Sequence, residues 1–158
     1  MAKTIYLNEN NQIEPWLQTY TGVKFDLLKP TIDMVMIEDI AHALSMQCRF
    51  AGHSRYFFSV AEHSCLVSNL LPSDLALKGL LHDAAEAYVT DIPTPLKNQL
   101  FSFKKIENKI SLVIFEAFGL ELDQDEYNAI KFADAQALKI EADILVNAPH
   151  IDNWTDKL

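Results

Sequence analysis

The adjacent pair His82-Asp83 stands in an otherwise apolar stretch, Leu-Leu-His-Asp-Ala-Ala-Glu at residues 80–86, whose pattern predicts a helix. Burying an imidazole beside a carboxylate is costly unless another group pairs with both. A divalent metal ion would do so, because it accepts imidazole nitrogen and carboxylate oxygen in one shell. Two further residues, His63 and Asp134, interrupt apolar helical patterns in the same way. We call these four residues the His/Asp cluster and predict that they are metal ligands.

The donor set of the His/Asp cluster indicates which metals it would take. Two nitrogens and two carboxylates suit Mn, Co, Fe, Ni, Zn or Mg better than a thiophilic metal. We therefore expect one bound divalent ion, whose identity the residues leave open. Four protein ligands on a six-coordinate ion leave room for water and a substrate oxygen. Such an ion can activate water near neutral pH and polarise a phosphoryl group.

Carboxylates next to the cluster could assist this chemistry. Glu86 follows His82 by four residues and Asp83 by three, so all three share a helix face. Asp91 could reach the same cavity. A carboxylate near the reacting water can orient it or move its protons. Glu141, later in the last predicted helix, could support a ligand or form a salt link.

Basic residues near the cluster are candidate phosphate contacts. Arg49 and Lys97 qualify by charge, and arginine suits bidentate contact with phosphate oxygens. Lys131 precedes Asp134 by three residues and could project over the same site. His53, in a glycine-containing loop, could serve either loop hydrogen bonding or substrate contact.

Each member of the cluster also has an ordinary structural explanation when taken alone. His63 could be a hydrogen-bonded core histidine, and Asp134 could cap a neighbouring helix or pair with Lys131. The joint occurrence of all four residues, with Glu86 at the matching offset, favours a metal site.

Helical periodicity predicts the elements that must position these residues. Apolar positions recur at three and four residues in five segments: 35–48, 57–71, 72–89, 103–118 and 125–147. Residues 1–33 have no clear pattern, and the Asp-Ile-Pro-Thr-Pro sequence at 91–95 predicts a break. We expect an all-α, single-domain bundle of about six helices over residues 1–158, with a core at about 35–147 and the metal between three helices.

Composition excludes several partner classes. The formal net charge of −9 and the pI near 4.9 argue against binding nucleic-acid backbones or anionic membranes. No apolar run approaches the length of a membrane span. The N-terminus lacks the apolar core of a signal peptide, and two cysteines form no disulfide framework. We expect a cytoplasmic protein.

Several motifs together resemble one protein family. They are Cys-Arg-Phe at 48–50, Ser-Val-Ala-Glu-His-Ser at 59–64, the stretch 80–97 and Ala-Asp at 133–134. This order resembles the HD superfamily of metal-dependent phosphohydrolases. It is most similar to the small branch that includes bacterial 5′-deoxynucleotidases and phage deoxynucleotide triphosphohydrolases. The resemblance extends over residues 35–140, most of the chain.

The resemblance implies a role for each candidate residue. The His/Asp cluster would hold the metal, and Glu86 and Asp91 would be the catalytic carboxylates. Basic side chains would bind phosphate: Arg49, helped by Lys97 and Lys131. Phe50 stands where other members carry tryptophan and would stack near the sugar or base, so this departure leaves base selectivity open.

The resulting hypothesis is an enzyme that hydrolyses deoxynucleoside 5′-monophosphates to nucleoside and phosphate. Its partners would be a small nucleotide substrate and further copies of the chain, in a dimer or larger homo-oligomer. Two alternatives stay open at this point. One is cleavage of deoxynucleoside triphosphates to nucleoside and triphosphate. The other is a catalytically idle nucleotide-binding HD protein.

Overall fold

The computed structural model describes residues 14–146. Residues 1–13 and 147–158 lie outside the described part, and so does the predicted last residue of the final helix. The described residues form a short hairpin followed by seven α-helices. The strands are β1 (Trp16–Gln18) and β2 (Lys24–Asp26), which pair antiparallel. The helices are α1 (Ile37–Ser45), α2 (Val60–Leu70), α3 (Ala76–Leu80), α4 (Glu86–Val89), α5 (Thr94–Lys97), α6 (Phe101–Ala117) and α7 (Gln124–Leu145).

The prediction of a helical fold is confirmed, and the hairpin is an addition to it. Residues 16–26 were expected to be irregular, but the strands are joined by a turn in which Gly22 has a φ of 93°. That left-handed conformation is readily available to glycine. The turn is closed because the Thr19 amide donates to the Val23 carbonyl, and the Gly22 amide donates to Thr19.

The prediction of one continuous helix over residues 72–89 is wrong. It is split into α3 and α4 by turns at residues 81–85. Within and just after this segment, the amides of Ala84, Glu86 and Ala87 donate to carbonyls three residues earlier, at 2.9–3.2 Å. These are 3₁₀-type bonds, which tighten the backbone relative to an α-helix. The predicted break at 91–95 is also partly wrong, because α5 begins at Thr94 with proline in its first turn.

The two helices that carry His63 and Asp134, α2 and α7, begin at well-defined caps. The Ser59 hydroxyl accepts from the Glu62 amide, and the Glu62 carboxylate accepts from the Ser59 amide. Asp123 and Glu126 form the same reciprocal pair at the start of α7. These capping boxes satisfy backbone donors that the first turn leaves unpaired. The starts of α2 and α7 are therefore determined locally by sequence.

Two groups of buried apolar residues form the core. The larger group joins β2, α1, the 81–85 turn, α4 and α6, and Phe25 stacks on Tyr88 with ring centroids 3.7 Å apart. The smaller one, Val67 with Ala133 and Ala137, lies between α2 and α7. Its small side chains let the two helices approach closely. No helix between residues 14 and 146 is long and apolar enough to cross a membrane.

Candidate metal centre

The fold brings the four residues of the His/Asp cluster together from three places in the chain. His63 lies in α2, His82 and Asp83 lie in the turn between α3 and α4, and Asp134 lies in α7. One carboxylate oxygen, Asp83 Oδ2, is 3.5 Å from His63 Nε2 and 3.1 Å from His82 Nε2. Asp134 Oδ1 is 3.2 Å from His63 Nε2 and 3.8 Å from His82 Nε2. His63, His82 and Asp83 offer ligand atoms that all lie within 4.8 Å of one another.

The outer nitrogen of each imidazole determines which nitrogen faces the cluster. His82 Nδ1 lies 2.8 Å from the Gly79 carbonyl oxygen, and His63 Nδ1 lies 2.6 Å from Glu141 Oε1. A carbonyl oxygen only accepts, so the proton of the His82 ring sits on Nδ1. The Glu141 carboxylate places the proton of His63 in the same way. This arrangement, in which an acceptor holds Nδ1–H and Nε2 faces inward, is the usual one for metal-binding histidine.

The two inward-facing Nε2 atoms show whether the His/Asp cluster suits a metal ion. Both Nε2 atoms are buried, and neither has a hydrogen-bond partner among residues 14–146, although carboxylate oxygens lie nearby. A buried polar atom without a partner is unfavourable unless another group satisfies it. Two such nitrogens facing two carboxylates match the donor set of a divalent cation. The cluster can therefore hold a metal.

In the metal-free protein the carboxylates favour charged imidazoles. Burial lowers the pKa of His82, but the charges of Asp83 and Asp134 outweigh it and raise that pKa to about 10. Burial likewise opposes protonation of His63, and its contacts with Asp134 and Glu141 raise its pKa overall. The carboxyl pKa values of Asp83 and Asp134 are held low by the histidines, against the effect of burial. Near neutral pH the cluster thus holds protons where a cation would bind.

Metal binding is therefore expected to release protons and to weaken as the pH falls. A bound cation requires neutral imidazole, whereas His82, with a pKa of about 10, is protonated at neutral pH without the cation. Calorimetric titration of Mn²⁺ into metal-free protein, in buffers with different ionisation enthalpies, measures this release directly. If both histidines lose a proton, the dissociation constant should rise by up to about 100-fold per unit decrease in pH. An affinity independent of pH between 6 and 8 would contradict the histidine ligation.

Glu86 is a buried carboxylate beside the His/Asp cluster, with 4% of its surface exposed. Its Oε1 accepts a hydrogen bond from Lys97 Nζ at 2.9 Å, while Oε2 has no partner among the described residues. Burial, reinforced by the negative charges of Asp83 and Asp91, raises the pKa of Glu86 to about 8, although Lys97 opposes this. With such a pKa, the carboxylate form that could accept a proton from water becomes the main form only as the pH rises through about 8.

Lys97 lies between two carboxylates. Besides Glu86, it donates to Glu107 Oε1 on α6 at 2.7 Å. Both carboxylates raise the pKa of Lys97 despite its burial, so its side chain is an ammonium. Because these contacts engage the ammonium, a direct contact of Lys97 with phosphate stays a prediction. The sequence pattern missed Glu107, which follows the partly buried Ile106 and carries no stronger signal.

Arg49 projects from a strained turn next to the cluster. It begins a 3₁₀ turn, Arg49–Gly52, in which Phe50 and Ala51 have φ values of 55° and 50°. Such left-handed residues are uncommon outside glycine and are often found at functional sites. The Arg49 amide donates to the Phe58 carbonyl at 2.8 Å, which ties the turn to the segment before α2. His53, at the end of this turn, is exposed.

The Arg49 guanidinium contacts Glu141 in α7 and lies near Asp91, which follows α4. Its Nε and Nη2 donate to Glu141 Oε2 at 3.1 and 3.0 Å, and its Nη1 lies 3.8 Å from Asp91 Oδ2. The Phe50 ring centroid is 5.6 Å from the guanidinium carbon. Burial raises the pKa of Asp91, and the Arg49 charge opposes this. The structure thus places the predicted phosphate arginine beside a predicted catalytic carboxylate.

Two further residues lie next to the site, Lys131 and Gln47. Lys131 Nζ lies 3.2 Å from Asp134 Oδ2 and is half exposed, so it lies at the solvent side of the cluster. Gln47 was missed by the sequence pattern, although its amide links two elements of the site. Its Nε2 donates to the Glu86 carbonyl at 2.9 Å, and its Oε1 accepts from the Asp91 amide at 3.0 Å. It therefore fixes the backbone on both sides of α4.

Fold and site together define a helical protein with a buried His/Asp cluster that could hold a divalent metal. No family model matches the chain. It is 44% identical over 126 residues to the uncharacterized protein YfdR of Escherichia coli K12, covering 80% of this chain and 70% of YfdR. It is 34% identical over 140 residues to the uncharacterized protein RCAP_rcc00048 of Rhodobacter capsulatus, covering 81% and 71%. The chain belongs to the family that contains these two proteins.

A third relative has a named activity. The chain is 30% identical over 100 residues to 5′-deoxynucleotidase ECA3034 of Pectobacterium atrosepticum. That match covers 61% of this chain and 48% of the deoxynucleotidase, so the chain aligns with about half of that protein. This similarity indicates a distant relationship to a protein named as a 5′-deoxynucleotidase.

Proposed function

We propose that the protein is a metal-dependent phosphohydrolase of the HD type that hydrolyses deoxynucleoside 5′-monophosphates to nucleoside and phosphate. The observation that carries this proposal is that the buried Nε2 atoms of His63 and His82 face Asp83 and Asp134 and have no hydrogen-bond partner among residues 14–146. The distant similarity to 5′-deoxynucleotidase ECA3034 supports the substrate class.

In this proposal the His/Asp cluster holds the cation, which supplies Lewis-acid chemistry by polarising the phosphoryl group and lowering the pKa of water. Arg49 binds phosphate oxygens through N–H groups that its contact with Glu141 leaves free. Lys131, at the solvent side, adds positive charge to the entrance. These charges offset the negative charge that builds up on the phosphoryl oxygens.

Glu86 acts as the proton acceptor in the proposed reaction. A water oxygen attacks phosphorus and forms the new P–O bond, and the P–O5′ ester bond breaks. One water proton passes to Glu86 Oε2, the carboxylate oxygen that has no partner among residues 14–146. The leaving 5′-oxygen takes a proton from solvent to give the nucleoside hydroxyl, and Glu86 then releases its proton to solvent, which restores the starting state. Lys97 keeps Glu86 oriented through its hydrogen bond to Oε1.

Product analysis tests the proposal. Metal-free protein is incubated with deoxynucleoside mono- and triphosphates, each with Mn²⁺, Co²⁺, Zn²⁺ or Mg²⁺, and the products are separated by chromatography. We expect metal-dependent release of inorganic phosphate and nucleoside from the monophosphates. Release of inorganic triphosphate would instead identify a triphosphohydrolase. Nucleotide binding without turnover under any of these metals would contradict the enzymatic proposal.

A further inference from the structure

Glu141 is a buried carboxylate whose two oxygens serve two different parts of the site. It lies in α7, about two turns after Asp134, and its exposed fraction is 2%. Oε1 is 2.6 Å from His63 Nδ1, and Oε2 accepts from Nε and Nη2 of Arg49 at 3.1 and 3.0 Å. One carboxylate therefore contacts both a predicted metal ligand and the predicted phosphate-binding arginine.

Burying a carboxylate is unfavourable unless charged partners and hydrogen bonds satisfy it. Glu141 satisfies both conditions, since each oxygen has a short contact with a donor that can be cationic. An amide in place of this carboxylate would keep only one acceptor oxygen, so either the largely buried Arg49 or His63 Nδ1–H would lose its acceptor. An ordinary helix salt link on the surface would not create these consequences.

We propose that Glu141 is a positioning residue that aligns the metal ligand and the phosphate arginine through one carboxylate. This inference rests on the proposed metal site. Through Oε1 it keeps the His63 proton on Nδ1, so that Nε2 faces the cation. Through Oε2 it holds one edge of the guanidinium and leaves Nη1 free of Glu141, on the side where Asp91 lies.

The first test measures metal affinity rather than turnover. Mn²⁺ is titrated calorimetrically into metal-free wild type, Glu141→Gln and the control Asp143→Asn, an exposed carboxylate two residues later in the same helix. Loss of a partner behind a histidine ligand typically weakens metal binding by about 10- to 100-fold. We expect that loss for Glu141→Gln and less than about a twofold change for Asp143→Asn. Thermal unfolding of each variant checks that it is folded.

The second test asks whether Glu141 also acts through Arg49. Inorganic phosphate is titrated at saturating Mn²⁺ into wild type, Glu141→Gln, Arg49→Met and the double variant. Residues that act as one unit give non-additive losses. We expect Glu141→Gln to weaken phosphate binding by at least about fivefold in wild type and by less than about twofold in the Arg49→Met background. Glu141→Asp, which keeps the charge but is one methylene shorter, should recover only part of either function.

The outcomes separate this inference from the proposed function. Mn²⁺ binding by Glu141→Gln within twofold of wild type, or additive phosphate losses, overturns the role of Glu141 even if nucleotides are hydrolysed. A wild-type protein that binds no Mn²⁺ also overturns it. If both binding results are as expected and no nucleotide is hydrolysed, the role of Glu141 stands and the proposed function fails.

Discussion

Replacing Asp83 with alanine is expected to abolish metal-dependent phosphate release. Asp83 Oδ2 lies 3.1 and 3.5 Å from the two inward Nε2 atoms, which makes it, with Asp134 Oδ1, one of two carboxylate oxygens near both histidines. Loss of a partner behind a ligand already weakens metal binding by about 10- to 100-fold, and loss of a ligand should exceed this range. Mn²⁺ titration and phosphate release, measured on the same preparation, should therefore fall together.

A matched control is available in the same segment. Asp74 is an exposed carboxylate before α3, and Asp74→Ala changes the net charge by the same amount. It should keep metal affinity and phosphate release within about twofold of wild type, as surface substitutions usually do. Mn²⁺ affinity in Asp83→Ala equal to that of Asp74→Ala would place the metal elsewhere.

The members of the His/Asp cluster could be predicted from sequence because each contradicts its local pattern. His63 falls on the apolar face of α2 between Val60 and Val67, and the structure buries all three side chains. Asp134 follows Ala133, one of the small residues that pack between α2 and α7. A polar residue at an apolar position needs a reason in the folded protein, and that reason can be sought before the fold is known.

The local backbone at His82-Asp83 could not be predicted in the same way. Apolar periodicity does not distinguish an α-helix from successive 3₁₀ turns, because both place neighbouring turns on a similar face. The choice depends on tertiary packing, here of Leu81, Ala84 and Ala85 into the core. The left-handed conformation of Phe50 also lacks a local signal, since only glycine or asparagine would have indicated it.

Contacts between distant elements were the least predictable part of the site. Lys97 was expected to bind phosphate, but the structure places its ammonium between Glu86 and Glu107. Glu107 lies in α6, and nothing in its spacing relates it to Lys97 in α5. Glu141 could be identified only as a supporting residue or a salt link until its two oxygens were located. Pairing across a fold depends on topology, which periodicity alone does not determine.

Glu86→Gln is expected to lower the turnover number by about 10²- to 10⁴-fold, the range for loss of a general base. The amide oxygen can still accept from Lys97, so the orientation is kept, while the proton acceptor is lost. Mn²⁺ affinity should stay within about twofold of wild type, because Glu86 is not in the His/Asp cluster. Steady-state kinetics with metal titration measures both quantities, and equal losses in both would make Glu86 a metal ligand instead.

The same substitution should change how stability depends on pH in the metal-free protein. The pKa of Glu86 is raised to about 8 from an ordinary value of 4.5, so folding favours the neutral form. That stabilisation is complete below pH 4.5 and is lost as the pH rises through about 8. Between pH 4.5 and about 8 the wild type should therefore lose this contribution progressively, while Glu86→Gln does not. Thermal unfolding from pH 5 to 9 compares the two slopes, and parallel curves would contradict the raised pKa.

Two neighbouring variants should move the acidic limb of the pH–rate profile in opposite directions. If Glu86 is the proposed base, it must be deprotonated to act, so the rate should rise with pH through its pKa. Lys97→Met removes the ammonium that lowers this pKa and should shift the limb to higher pH. Glu107→Gln removes the other carboxylate that shares Lys97, so the ammonium acts more fully on Glu86 and the limb should shift to lower pH. Shifts of the same sign would show that Lys97 does not act on Glu86, whereas opposite shifts would be hard to obtain from general destabilisation.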